Sequence, residues 1–128
     1  MIYLDTSVAL AQLLAEDQRP SNTFWREALV SSRLLEYEVS VRINSRGLAP
    51  SHREAARALL GNIGFVELTP VILSRALDPF PIPVRTLDAL HLAALEFLRG
   101  QGQTIELASY DRRMIAAAQA LKIPIARL

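Results

Sequence analysis

Asp5 follows the apolar run Ile2-Tyr3-Leu4, and Asp111 follows the segment from Ile105 to Ser109, so two carboxylates stand directly behind stretches that read as strands. Asp88 lies in the first turn of an apolar helix opened by Thr86, and Glu38 lies on the helix behind Leu29-Val30-Ser31-Ser32. In an open parallel sheet the carboxyl ends of the strands share one rim, which is where these acids would meet. Carboxylates crowded together repel, and nearby cations are the usual way of keeping them ionised; an all-oxygen donor set suits a hard divalent ion such as Mg2+ or Mn2+. Such an ion makes water easier to deprotonate and neutralises the charge that builds on a phosphodiester during in-line attack, which is hydrolytic nuclease chemistry. Each acid also has a plainer use. Asp5 and Asp111 are good helix caps, Asp88 is a first-turn acid that the helix dipole favours by about 0.3–1 kcal/mol, and a helical glutamate such as Glu38 is ordinarily solvated. Glu36 faces elsewhere on the same helix and reads as surface.

The elements that must carry these acids alternate along the chain. After the first strand, Asp5-Thr6-Ser7 caps a helix through Ala15, and a polar break from Glu16 to Asn22 precedes a helix from Thr23 to Leu29. Leu29 to Ser32 is a short strand, and Leu34, Leu35, Val39 and Ile43 form a helical stripe that Gly47 stops. Ser51 and Glu54 have capping-box spacing and open a helix through Leu60. Phe65 to Thr69 alternates as a strand, and Pro70 starts a short helix to Leu77. Asp78-Pro79-Phe80-Pro81-Ile82-Pro83 has too many prolines for regular structure, and its apolar members favour an ordered loop. The helix from Leu87 to about Arg99, apolar on almost every side, reads as buried; a helix from Asp111 to Leu121 and an edge strand from Ile123 to Ala126 close the chain. The pattern predicts an α/β fold with a parallel sheet, in one domain spanning residues 1–128.

Composition narrows the functions. Hydrophobic residues at 51% and charged ones at 21% exclude intrinsic disorder. With 14 basic against 13 acidic residues, the net charge of +1 supplies no global field for nucleic acid, so any anion must be gripped locally. No cysteine is present, which removes disulfides, thiolate metal sites and a cysteine nucleophile. The N-terminus lacks the basic flank and apolar stretch of a secretory signal, and no apolar run is long enough for a membrane span, so the expectation is a cytoplasmic protein without a membrane partner. Five glycines form no phosphate-binding loop.

Four runs in order, Tyr3-Leu4-Asp5-Thr6-Ser7, Ser31 to Val39, Arg85-Thr86-Leu87-Asp88-Ala89-Leu90-His91-Leu92-Ala93 and Ser109 to Met114, resemble the PIN-domain family and, more narrowly, its VapC-type toxins. The resemblance implies a three-layer α/β/α sandwich around a central parallel sheet and a Mg2+- or Mn2+-dependent endoribonuclease. It also implies a toxin held by a small cognate antitoxin protein, commonly as a homodimer. It places the family's acids on Asp5, Glu38, Asp88 and Asp111, as metal ligands and catalytic residues, and its supporting hydroxyls on Thr6, Ser7 and Ser109.

Arg85 and Arg112 flank these acids as candidate RNA-phosphate contacts, while Arg113 reads as ordinary solvated charge. His91, three residues after Asp88, is a candidate ligand or a structural histidine. Phe24, Trp25 and Phe97 read as core or subunit interface rather than base-stacking platforms. The competing functions are a non-catalytic PIN-like protein-interaction module, with the acids serving as caps, and a receiver-like phosphoacceptor domain. The latter needs a second acid at the first strand's end and a suitably placed lysine; here Thr6 follows Asp5, and Lys122 is the only lysine.

Overall fold

The computed structural model describes residues 1–128. In chain order the elements are β1 (Ile2–Leu4), α1 (Thr6–Leu13), a 3₁₀ turn (Asn22–Arg26), β2 (Leu29–Ser32), α2 (Leu34–Ser45), α3 (Ala49–Leu60), β3 (Ile63–Val66), α4 (Pro70–Leu77), α5 (Thr86–Gly100), β4 (Glu106–Ala108) and α6 (Arg112–Ala120). The four strands pair in the order β3-β2-β1-β4, all parallel. Helices make the crossovers that parallel neighbours require.

Alternation along the strands sorts their side chains into two cores. Ile2, Leu4, Leu29, Ile63 and Ala108 pack with Val8, Leu35, Val39 and Ala56 from α1, α2 and α3. Tyr3 and Leu107, paired in register, face the other way onto Ile72, Leu92, Leu95 and Met114 from α4, α5 and α6. The result is the three-layer α/β/α sandwich with β1 in its middle. Fully buried leucines such as Leu92 and Leu95 each contribute about 1.5–3 kcal/mol of transfer free energy, which is why α5 has so little polar surface in its middle.

Several elements depart from expectation for local reasons. The segment from Thr23 is a single 3₁₀ turn rather than a helix, because Leu29 already belongs to β2. The strand around Phe65 begins at Ile63 and ends at Val66; Glu67 starts a turn, and Thr69 caps α4 through Ile72 N at 3.5 Å. Ser51 does not cap α3, which starts at Ala49; its hydroxyl donates to Leu48 O at 3.1 Å. The closing strand is reduced to one bridge between Leu107 and Ile125. Leu107 N donates to Pro124 O and Ala126 N to Leu107 O, and Pro124, without an N–H, cannot lengthen the ladder. The proline-rich loop is ordered: Phe80, Ile82 and Val84 pack on the second core, and Arg75 lies 4.1 Å from the Phe80 ring centroid.

Four helices, α1, α2, α5 and α6, are followed by residues in the left-handed region: Ala15, Gly47, Gly102 and Lys122. Gly47, at φ 67°, closes α2 with Gly47 N donating to Asn44 O and Leu48 N to Ile43 O, the paired bonds of a Schellman motif. Lys122 takes the same place after α6 at φ 61°, with Lys122 N donating to Gln119 O and Ile123 N to Ala118 O. The single lysine thus serves a helix stop.

Candidate active site

Asp5 occupies the N-cap position of α1, yet its side chain makes no cap hydrogen bond. Its backbone N–H donates to Ala108 O at 2.9 Å, which holds the residue at the carboxyl end of β1 beside β4. The carboxylate is instead gripped by two hydroxyls: Ser7 Oγ and Ser109 Oγ each donate to Oδ2 at 2.7 Å. Each serine also accepts a backbone N–H at 3.0 Å, Ser7 from Tyr110 and Ser109 from Asp111. Since a hydroxyl has one proton, and both are spent on Asp5, the serines orient the carboxylate and the turn after β4 together.

A second acid is held by the first residue of α1 and by α5. Thr6 Oγ1 donates to Glu38 Oε1 at 2.8 Å, and His91 Nε2 stands 2.6 Å from the same oxygen. Behind the imidazole, Tyr3 OH lies 2.8 Å from His91 Nδ1 and accepts the Ser32 N–H at 3.1 Å. Ser31 Oγ donates to Leu4 O at 2.8 Å, locking the ends of β1 and β2 together. Tyr3 is wholly buried, and burial pushes its phenol well above the ordinary tyrosine range, so the hydroxyl keeps its proton. Glu36, by contrast, pairs with Arg33 at 2.8 Å on the surface. Hydrogen bonds that Arg33 donates to Glu67 and then to Glu36 hold its guanidinium above its ordinary value.

Asp88 and Asp111 share one cation. Arg85 Nε donates to Asp88 Oδ2 at 3.0 Å and its Nη2 to Asp111 Oδ2 at 2.6 Å. The hydrogen bond to Asp88 is the leading cause of the raised Arg85 pKa, followed by the charges of Asp88 and Asp111. Asp111 is also the helix cap that its position suggests: Oδ1 accepts from Arg113 N at 2.9 Å and Met114 N at 3.4 Å. The cap and site readings of Asp111 therefore coexist on different carboxylate oxygens.

All four acids line one cleft of about 670 Å³, together with Thr6, Ser7, Arg85 and His91. Ser109 supports Asp5 from behind its wall. Arg112 does not line this cleft; it is exposed at the start of α6, whereas Arg113 borders an adjoining hollow with Arg85 and Asp88. Arg42 and Glu16 also line the cleft. Sequence reading passed over both: Arg42 is four residues beyond Glu38, one helical turn, which is the signal that would have found it, whereas Glu16, just past α1, gave none. No group of three among the histidine and acidic side chains is arranged to hold a metal ion as these side chains stand. The chemistry of the donor set still fits a hard cation, because carboxylate oxygens dominate it and Asp88 and Asp111 already hold a guanidinium between them.

The PIN-domain family model matches residues 2–120. The chain is 30% identical to ribonuclease VapC35 of Mycobacterium tuberculosis over 98% of its own length and 95% of that protein's. It is 31% identical to ribonuclease VapC46 of the same species, over 97% and 95% of the two chains. Among solved structures it matches a toxin-antitoxin complex from Klebsiella pneumoniae with a TM-score of 0.60 at 16% identity, covering 94% of each chain. That likeness concerns the fold. With the parallel sheet, the sandwich layers and the acids at the sheet's carboxyl edge, these matches establish that the chain belongs to the PIN-domain family.

Proposed function

We propose that this protein is a metal-dependent endoribonuclease, the toxin component of a type II toxin-antitoxin pair, acting in the cytoplasm on RNA phosphodiester bonds. The observation that carries the reading is the convergence of Asp5, Glu38, Asp88 and Asp111 on one cleft at the carboxyl edge of the sheet. Its kinship to proteins named ribonuclease VapC supports the choice of RNA. Asp5, Glu38, Asp88 and Asp111 would hold Mg2+ or Mn2+. Such an ion supplies Lewis acidity, making water a better nucleophile and offsetting charge on the phosphodiester.

The chain's own residues do the rest. Ser7 and Ser109 fix the Asp5 carboxylate, and Thr6 with His91 fixes Glu38. Arg85 is half-exposed at the cleft, so its guanidinium can exchange a carboxylate for an RNA phosphate, both of which suit its bidentate geometry. Arg42 on the same rim is a further candidate phosphate contact. The cognate antitoxin and the homodimer rest on kinship, and the exposed Leu73 and Leu77 on α4, which border an apolar hollow with Phe80 and Ile82, support protein contact of some kind.

The non-catalytic module is the second reading, and the Arg85 bridge favours it, since it already neutralises Asp88 and Asp111. Asp5→Asn separates the two. Under the nuclease reading it abolishes Mn2+-dependent RNA cleavage while circular dichroism and thermal unfolding stay close to wild type; undiminished cleavage by the variant would sink that reading.

A further inference from the structure

We infer that His91 is a positioning residue that sets the orientation of the Glu38 carboxylate through a fixed ring tautomer. The inference deepens the proposed metal-dependent reading and rests on it. His91 is 2% exposed, and four groups surround its two ring nitrogens. Counting protons decides their directions.

On one side, Glu38 Oε1 at 2.6 Å belongs to a carboxylate, which only accepts. Thr6 Oγ1 stands 3.3 Å from the same nitrogen, but its single proton goes to Glu38 Oε1 at 2.8 Å. Both neighbours therefore face Nε2 with lone pairs, and Nε2 carries the hydrogen. On the other side, Tyr3 OH receives the Ser32 N–H at 3.1 Å and so has its own proton to give to Nδ1 at 2.8 Å. Ser32 Oγ, at 3.4 Å, completes the surroundings of Nδ1. The chain of donation runs from the Ser32 amide through Tyr3 and His91 to Glu38.

The consequence lies in the carboxylate. Thr6 and His91 converge on Oε1 from α1 and α5, whereas no protein hydrogen bond ties Oε2. Two donors on one oxygen fix the carboxylate plane, and the side chain lines the cleft. Hydrogen-bonded partners of this sort typically change metal affinity or activity by roughly 10–100-fold when removed.

The test compares two amide replacements. Glutamine places its NH2 near the position of imidazole Nε2, and asparagine near Nδ1, so His91→Gln retains a donor toward Glu38 and His91→Asn does not. Mn2+ titration calorimetry on variants shown to be folded by thermal unfolding should give His91→Gln an affinity within a few-fold of wild type and His91→Asn a loss of roughly 10–100-fold. Equal affinities for the two variants would overturn the inference. A second readout needs no metal: ring 15N shifts of the metal-free protein, with the half-buried His52 removed by His52→Gln for assignment, should show one protonated and one bare nitrogen on His91, the protonated one being Nε2. A proton on Nδ1 would overturn it. Wild type that binds no Mn2+ would overturn the metal reading instead, and the ring shifts would still decide the direction of the hydrogen bonds, so the two failures are distinguishable.

Discussion

Replacing Ser109 by alanine removes one oxygen that joins three parts of the site. The hydroxyl donates to Asp5 Oδ2 at 2.7 Å and accepts the Asp111 N–H at 3.0 Å, and the residue is 4% exposed. A hydrogen bond to a charged group contributes about 1.5–3 kcal/mol net, and a neutral one about 0.5–1.5 kcal/mol. Asp5 keeps its second donor, Ser7, and the partly exposed Asp111 leaves its amide within reach of water, so the lower part of each range applies. The expected loss is therefore about 2–3 kcal/mol in denaturant unfolding, or roughly 10 °C in Tm for a domain of this size. Ser7→Ala should cost less than Ser109→Ala, because Ser7 is only half-buried. The double variant should lose more than the sum, since Asp5, 6% exposed, would then have no hydroxyl partner. The assay is urea unfolding of all three variants with fixed m-value. A Ser109→Ala loss below about 0.5 kcal/mol, or strict additivity, would refute the claim that the two serines jointly hold the carboxylate.

Arg85→Ala should weaken RNA binding uniformly across sequences and reduce the slope of log affinity against log salt by about 1, measured by fluorescence anisotropy in an Asp5→Asn background that cannot cleave; a sequence-dependent loss would contradict a phosphate contact. Tyr3 predicts a pH effect of definite sign. Burial raises its pKa above the ordinary 10.0, so above that pH the unfolded chain releases a proton that the folded chain keeps. The stability this contributes is complete below pH 10.0 and is lost as pH rises through the folded value. Between about pH 10 and pH 11 wild type should lose about 1 kcal/mol more than Tyr3→Phe in unfolding free energy, and identical profiles would refute it.

The sheet was legible because its strands are short apolar runs ending in acids or hydroxyls, and the alternation of Tyr3 against Ile2 and Leu4 sorts the two cores. All four acids could be found because local order puts Asp5 and Asp111 just behind strands, Asp88 in the first turn of a helix and Glu38 on the helix after β2, and the family resemblance then singles out the same four. Contacts between distant segments were not legible. Glu38 and His91 are 53 positions apart, and nothing in their spacing tells which acid the imidazole meets. Their meeting depends on α2 and α5 rising from opposite faces of the sheet beside β1. The Arg85 bridge was half legible: Arg85 and Asp88 are neighbours on a helix turn, but Asp111 comes from the far side of the cleft. Element ends failed where a side chain or a proline, rather than periodicity, decides them, as at Thr69, Ser51 and Pro124.

Metal-dependent RNA cleavage by the acidic cleft is best examined on a mixed transfer and ribosomal RNA pool, incubated with the purified protein in Mg2+ or Mn2+ and in EDTA, for wild type and Asp88→Asn. Discrete RNA fragments carrying 5′-phosphate and 3′-hydroxyl ends should come only from wild type with metal. Cleavage that persists in EDTA or in the Asp88→Asn protein, or no cleavage and no metal binding by wild type, would contradict the assignment.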